Sequence, residues 1–239
     1  MGGLRSLLFN LWFFGLTAVL SILGMALLVA APGRVETLAR FWARRVLGGL
    51  RVICGIGLVV RGREHLPPEG PALLASRHQS AFDTLVWLAI LPRCSYVLKR
   101  ELLRIPLFGR LIRPAGQIPV DRAGGAVALR GLVRDAEAAA AAGRQIVIFP
   151  EGTRADPGVV LPLQPGIAAI AARTGLSVIP VVTDSGRVWG RRAFLKRPGV
   201  IHIRLLAPLA PPDARPGVRG RMMVALAAAL AEPADGGEG

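Results

Sequence analysis

The chain holds three histidines, His65, His78 and His202. His78 is the one set where proton transfer could occur. It follows a short apolar run, Ala72-Leu73-Leu74-Ala75-Ser76, that reads as a buried strand. A carboxylate, Asp83, stands five residues on, where a helical pattern over 83–91 begins and runs to Pro92. In α/β sheets, function gathers at the carboxyl ends of strands. A carboxylate turned back onto an imidazole fixes its tautomer and leaves the other ring nitrogen to accept a proton. The same spacing also suits a plainer arrangement, in which Asp83 caps the helix and His78 is an ordinary loop residue.

Two further blocks put charge just past a strand. Gly116-Gln117-Ile118-Pro119-Val120 leads into Asp121-Arg122, and Gln145-Ile146-Val147-Ile148-Phe149 leads through Pro150 into Glu151-Gly152-Thr153-Arg154. Guanidinium forks match phosphate oxygens, so Arg122 and Arg154 could converge on one phosphate near His78. Gly152 would let the backbone come close to that ligand. Alternatively, Asp121–Arg122 and Glu151–Arg154 are structural ion pairs that hold loops. A fourth block, Ile179-Pro180-Val181-Val182, is apolar and lines either the core or an apolar substrate path. No metal-ligand cluster is visible. Cys54 and Cys94 are isolated in apolar settings, as suits buried thiols in a reducing compartment.

The elements that must position these residues alternate along the chain. Strand patterns fall at 58–61, 72–76, 95–98, 116–120, 145–149, 178–182 and 200–206. Helical patterns fall at 83–91, at the Ala-rich 126–142, at 166–174 before Gly175, and at 222–231. Apolar strands alternating with helices predict an α/β sheet covered on both faces. Residues 232–239, with Pro233 and three glycines, read as a disordered tail.

The N-terminus differs from this body. No charge occurs between Arg5 and Arg34, and the uncharged run 6–31 is long enough for a bilayer core, which takes roughly 20 apolar residues. It is read as a retained anchor rather than a cleaved signal peptide, because it is long for that role and its basic flank is Arg5 alone. Whether it crosses fully or forms half of a helical hairpin stays open. Residues 35–60 are amphipathic, with Arg40, Arg44, Arg45 and Arg51 set against Leu38, Phe41, Trp42, Val46, Leu47 and Leu50, as in a helix lying at an anionic lipid surface. The division expected is an anchor and interfacial helix over 1–57, an α/β domain over 58–231 and the tail over 232–239. The composition agrees: 52% hydrophobic and 19% charged is too apolar for an ordinary cytosolic domain and too charged for a polytopic membrane protein. The formal charge of +15 fits an anionic membrane or a phosphorylated substrate, and part of it reflects an Arg-, Ala- and Gly-rich composition. Nucleic acid is not an expected partner, since the chain has one Tyr and no basic-aromatic stripe.

The blocks 77–83, 116–122, 149–154 and 179–182 occur in the order of the four motifs of the glycerolipid acyltransferase family. The chain resembles that family, and within it the bacterial 1-acyl-sn-glycerol-3-phosphate acyltransferases, over about residues 58–208. The segment 185–199 is similar too. It departs from the family at Arg77, where Asn is frequent, at Ile118-Pro119-Val120, where Phe-Ile is typical, and at Gln164, where Lys is common. The resemblance implies a mixed, mostly parallel α/β sheet covered by helices, carried on an N-terminal helical membrane-binding element. It implies His78 and Asp83 as the catalytic pair, and Arg122, Glu151, Gly152, Thr153 and Arg154 as the residues that bind the glycerol phosphate. The reaction implied is transfer of a fatty acyl group to the sn-2 hydroxyl of lysophosphatidate, giving phosphatidate, with another lysolipid such as lyso-ornithine lipid as the alternative acceptor. The donor implied is a thioester of coenzyme A or of acyl carrier protein, with no other cofactor and no metal. Ser80 has no base of its own and is read as structural, so direct transfer is expected. The expected location is the inner membrane, with the α/β domain on the cytoplasmic side, where the Arg excess after the first segment places it.

Overall fold

A computed structural model describes residues 2–191, 193–213 and 217–235. The chain opens with α1 (Gly2–Ala30), turns through a 3-10 segment at Pro32–Arg34, and returns as α2 (Val35–Cys54). The two helices pack on each other as a hairpin. Pro32 ends the first helix, because proline cannot continue the hydrogen-bond ladder. The amphipathic segment expected to reach residue 60 stops at Cys54, where Gly55 takes a left-handed conformation (φ 68°) and caps α2. β1 (Ile56–Arg61) follows at once.

The body continues as β2 (Ala72–Ser76), α3 (Asp83–Ile90), β3 (Cys94–Lys99), α4 (Phe108–Ile112), β4 (Ile118–Val120), α5 (Gly125–Ala141), β5 (Gln145–Ile148), α6 (Gly166–Thr174), β6 (Val178–Thr183), α7 (Ser185–Val188), β7 (Gly199–Leu205) and α8 (Val218–Leu230). One seven-stranded sheet has the order β1-β7-β6-β2-β5-β3-β4. Its pairs are parallel except β6 with β7, which are antiparallel. The mixed, mostly parallel sheet is as expected, and β2 and β5, the strands that lead into His78 and Glu151, are hydrogen-bonded neighbours at its centre.

The pleat divides the core into two layers. Successive side chains on a strand face opposite ways, so Leu74 and Val147 join one cluster while Leu73, Ala75, Ile146 and Ile148 join the other. Leu132 of α5, Ile167 and Ile170 of α6, and Leu226 of α8 cover the second face. The first face is covered by α3 and by the N-terminal hairpin. Val46, Leu50 and Cys54 of α2, spaced three or four residues apart, lie in the same cluster as the sheet residues Leu74, Val147 and Ile201, and Phe9 of α1 joins them. The segment expected to be a separate anchor over 1–57 therefore shares a core with the α/β domain. Of the tail, residues 236–239 lie outside the described residues. Residues 232–235 pack on the domain, with Ala234 buried and Glu232 accepting from Arg204 Nη2 at 2.7 Å.

A buried cation ties the hairpin to the sheet. Arg144, just before β5, forks onto Glu36 in the first turn of α2 at 2.9 and 3.0 Å. It also donates to Ser95 Oγ at 2.6 Å, and to the carbonyls of Cys94 and Ala115. Breaking a buried pair by removing one partner strands the others. Arg144→Ala is expected to lower stability by about 3 kcal/mol or more, read as a fall in denaturant midpoint of the micelle-bound protein.

Candidate active site

The turn between β2 and α3 is folded around one carboxylate. Asp83 Oδ2 accepts from the backbone N–H of Gln79 at 2.7 Å and of Ser80 at 2.8 Å, and lies 3.2 Å from His78 Nδ1. Its other oxygen, Oδ1, accepts from Ser185 Oγ at 2.6 Å. Asp83 is thus not the side-chain cap of α3. It organises the turn that precedes the helix. A carboxylate only accepts, so His78 Nδ1 carries the shared proton and Nε2 is the basic nitrogen. Ser80 Oγ accepts from Phe82 N at 3.1 Å, a bond that shapes the turn.

The imidazole is held on its face as well as its edge. Phe149, at the end of β5, stacks on His78 with ring centroids 4.1 Å apart and an interplanar angle of 18°. Tyr96 of β3 stacks on Phe149 in turn, donates its hydroxyl to the Asp83 carbonyl at 2.8 Å and accepts from Trp87 N at 3.1 Å. Three neighbouring strands thereby fix one ring. Ser185 and Tyr96 escaped the sequence analysis. Tyr96 is the chain's single tyrosine, and Ser185 opens the stretch singled out over 185–199; their links to Asp83 are tertiary and carry no local pattern.

Glu151 serves the same turn from below. Its Oε2 accepts from His78 N at 3.2 Å, and its Oε1 lies 3.8 Å from Arg77 Nε. Arg77 continues to the Val159 carbonyl at 2.9 Å, and Ala155 N donates to the His78 carbonyl at 2.8 Å. Gly152 sits at φ 70°, a left-handed conformation that a side chain would strain. Glu151 and Gly152 thus brace the loop that holds the histidine. Of the two ion pairs set against the phosphate reading, Glu151 faces Arg77, and Asp121 Oδ2 faces Arg100 Nη1 at 3.8 Å.

One cavity of about 700 Å³ joins the remaining residues. His78, Arg122, Thr153 and Arg154 line it from the strand-end loops, together with Lys99 and Arg191, which sequence reasoning left out. Most of the rest of its wall is apolar, including Phe13, Phe14 and Leu20 of α1, Leu38 and Trp42 of α2, Leu102, Ile105, and Phe108 and Leu111 of α4. Burial lowers the pKa of the Arg122 guanidinium from its ordinary value, with Glu101 opposing. The fourth block supplies none of this lining. Ile179, Val181 and Val182 of β6 are buried in the two core layers, and the apolar path runs between the hairpin and the sheet. Among the described residues no group of acidic, His and Cys side chains could hold a metal ion. Cys54 and Cys94 are free and buried.

Burial pushes the Glu151 carboxyl up to about 7, against the opposing pull of Arg77. A carboxyl raised on folding contributes stability that is complete below its unfolded value and is lost as pH rises through the folded one. Glu151→Gln keeps the group neutral and hydrogen-bonding throughout. Between about pH 5 and about pH 8, the variant is therefore expected to gain on the wild type by roughly 3 kcal/mol, read as the difference in denaturant midpoints.

Comparison with known proteins agrees with this geometry. The acyltransferase family model matches residues 57–184, from β1 to the end of β6, and so takes in all four blocks. The 1-acyl-sn-glycerol-3-phosphate acyltransferase of Pseudomonas aeruginosa is 34% identical over 170 residues, which span 71% of this chain and 66%, about two thirds, of that protein. The protein of the same name from Limnanthes douglasii is 30% identical over 202 residues, spanning 83% of this chain and 70% of its own. The crystal structure of the 1-acyl-sn-glycerophosphate acyltransferase from Thermotoga maritima matches with a TM-score of 0.73 over 96% of this chain and 97% of that one, at 22% identity, a likeness of fold. With a family match over more than half its length and its paired histidine and aspartate inside that match, the chain belongs to the acyltransferase family.

Proposed function

We propose that the protein transfers a fatty acyl group from a thioester of coenzyme A or acyl carrier protein to the sn-2 hydroxyl of lysophosphatidate, giving phosphatidate. The observation that carries this reading is the single cavity in which His78 meets both arginines from strand-end loops and an apolar wall built largely by α1, α2 and α4. A lysolipid needs both kinds of surface: cations for its phosphate and an apolar path for a chain. The relatives' names describe the same acceptor class.

The chemistry follows from the bonds around His78. Nε2 takes the proton of the acceptor hydroxyl as its oxygen attacks the thioester carbonyl. The carbon–sulfur bond breaks, and the imidazolium returns the proton to the departing thiolate. Asp83 stabilises the imidazolium and holds its ring. A base so placed is worth ~10²–10⁴ in rate. Arg122 and Arg154 bind the phosphate, Thr153 adds a hydroxyl beside them, and Glu151 and Gly152 act by holding the loop. No acyl-enzyme is needed.

Location follows from α1. It is long and apolar enough to cross a membrane, yet along its length it is packed on the protein. Ser6 accepts from Lys196 N at 2.9 Å, Trp42 donates to Thr17 at 3.0 Å, and Gly24 faces Leu111 and Leu38. Its outer side exposes Leu4, Leu7, Leu8, Leu11, Phe14, Val19 and Ile22. We read α1 as lying in the cytoplasmic leaflet of the inner membrane, with its outer side in lipid and the domain in the cytoplasm.

The first test offers labelled acyl-CoA and acyl carrier protein thioester with lysophosphatidate and with lyso-ornithine lipid to the detergent-solubilised protein. Diacyl product from lysophosphatidate is expected, and His78→Ala should abolish it. Product from lyso-ornithine lipid alone would move the acceptor, and no product from folded, vesicle-bound protein would overturn the reading. Arg122→Ala is expected to raise KM for lysophosphatidate about tenfold or more, the worth of a charge-assisted hydrogen bond. Ser185→Ala leaves Asp83 Oδ1 without its hydroxyl donor. It should lower kcat about tenfold with KM little changed, and Ser185→Thr should restore part of the loss.

A further inference from the structure

The connection from α7 to β7, of which residues 189–191 and 193–198 are described, takes no part in the mechanism, although Arg191 lines the cavity. It carries an unusual lysine. Lys196 is buried, and its ammonium donates to Asn10 Oδ1 of α1 at 2.5 Å and to the Phe194 carbonyl at 3.0 Å. Its Nζ lies 4.9 Å from the Trp189 ring centroid, 5.3 Å from that of Phe9 and 5.7 Å from that of Phe194, a cage of aromatic faces that suits a cation. The backbone N of the same lysine donates to Ser6 Oγ. The loop is thus fastened to the first turns of α1 by one side chain and one backbone bond.

What the fastening presents outward is apolar and basic. Phe194 and Leu195 are exposed, on a loop tied to the first turns of a helix whose outer side exposes Leu4, Leu7, Leu8 and Leu11. Arg187 and Arg197, with Val188, Phe194 and Leu195, line a second cavity of about 430 Å³, and Arg187 Nη1 stands 3.8 Å from Asp235 Oδ2 in an exposed pair that an anionic headgroup can replace. Arg191, in the same loop, lines the catalytic cavity. Two neighbouring large apolar side chains in water are costly, and here they stand on a loop tied to α1, with the guanidinium groups of Arg187 and Arg197 in the same lining. That pattern matches a lipid interface, where apolar side chains enter the acyl zone and cations meet phosphates.

We propose that residues 193–198 form a second lipid contact, in which Phe194 and Leu195 enter the bilayer together with α1, and Arg197 with Arg187 of α7 binds the phosphates of anionic headgroups. This rests on the reading of α1 as lying in the leaflet. The consequence is positional: the loop holds Arg191 and the cavity it lines at headgroup depth, so that a lysolipid can move from bilayer to active site without leaving the interface.

The test places a polarity-sensitive fluorophore on Leu195→Cys, on Leu11→Cys of α1 and on Val224→Cys of α8, an exposed control on the far face. The native thiols are buried, so unmodified protein serves as the labelling blank. The full chain is reconstituted with vesicles of phosphatidylglycerol or of phosphatidylcholine. The labels at 11 and 195 are expected to shift to the blue and brighten several-fold with phosphatidylglycerol, while 224 stays unchanged. Arg187→Glu with Arg197→Glu should abolish the response at 195 and keep it at 11. A response at 11 without one at 195 would overturn the proposal and leave the anchor intact. Silence at both would overturn the reading of α1 as well. A response at 195 to acyl carrier protein, with none to vesicles, would overturn the lipid contact in favour of a carrier-docking loop.

Discussion

A carboxylate taken out of water must be met by donors, and much of this fold can be read as the means of meeting Asp83. Removing an ion from water costs several kcal/mol unless its lone pairs are satisfied. Here two backbone N–H groups of its own turn, an imidazole nitrogen and a hydroxyl from beyond β6 converge on its two oxygens. Three of those donors lie on one turn and the fourth comes from α7, 102 residues away, so the ion is fully satisfied only when β2 and β6 are paired and α7 has formed. The His78 ring is then fixed: its tautomer is set by Asp83 and its plane by Phe149 and, behind it, Tyr96.

The parallel strands bring the carboxyl ends of β2, β4 and β5 to one edge, which is why three sequence blocks spread over residues 77–154 come close together. The N-terminal hairpin closes the other side. Because α1 and α2 contribute to the core as well as to the cavity wall, the apolar substrate path is a seam between two packed layers and not a tunnel through either.

The sequence made the local elements legible. Gly175 after the helix at 166–174, Pro92 after the helix at 83–90, and the apolar runs of β2, β5 and β6 are set by neighbouring residues and stand within a residue or two of expectation. The pairing of His78 with Asp83 was legible because both lie on one short turn. What escaped depends on distance along the chain. Arg144 meets Glu36 over 108 residues and Ser185 meets Asp83 over 102, and no periodicity signals either. The end of α2 at Cys54 was overrun because amphipathic spacing continues past Gly55, and only its left-handed conformation breaks the helix. Glu151 and Gly152 are legible as part of a motif, but the bonds from Glu151 to the loop that carries His78 are tertiary and show only in the structure.

The shared core of hairpin and sheet has an evolutionary consequence. In many membrane-bound enzymes the anchor can be exchanged while the catalytic body stays as it was. Here Phe13, Leu20, Leu38 and Trp42 belong to the N-terminal hairpin and to the cavity wall at once. On the proposed placement of the hairpin in lipid, a lineage that adapts it to a thinner, stiffer or colder bilayer also reshapes the cavity proposed to hold a fatty chain. Membrane composition and the lipids this enzyme makes are bound to drift together.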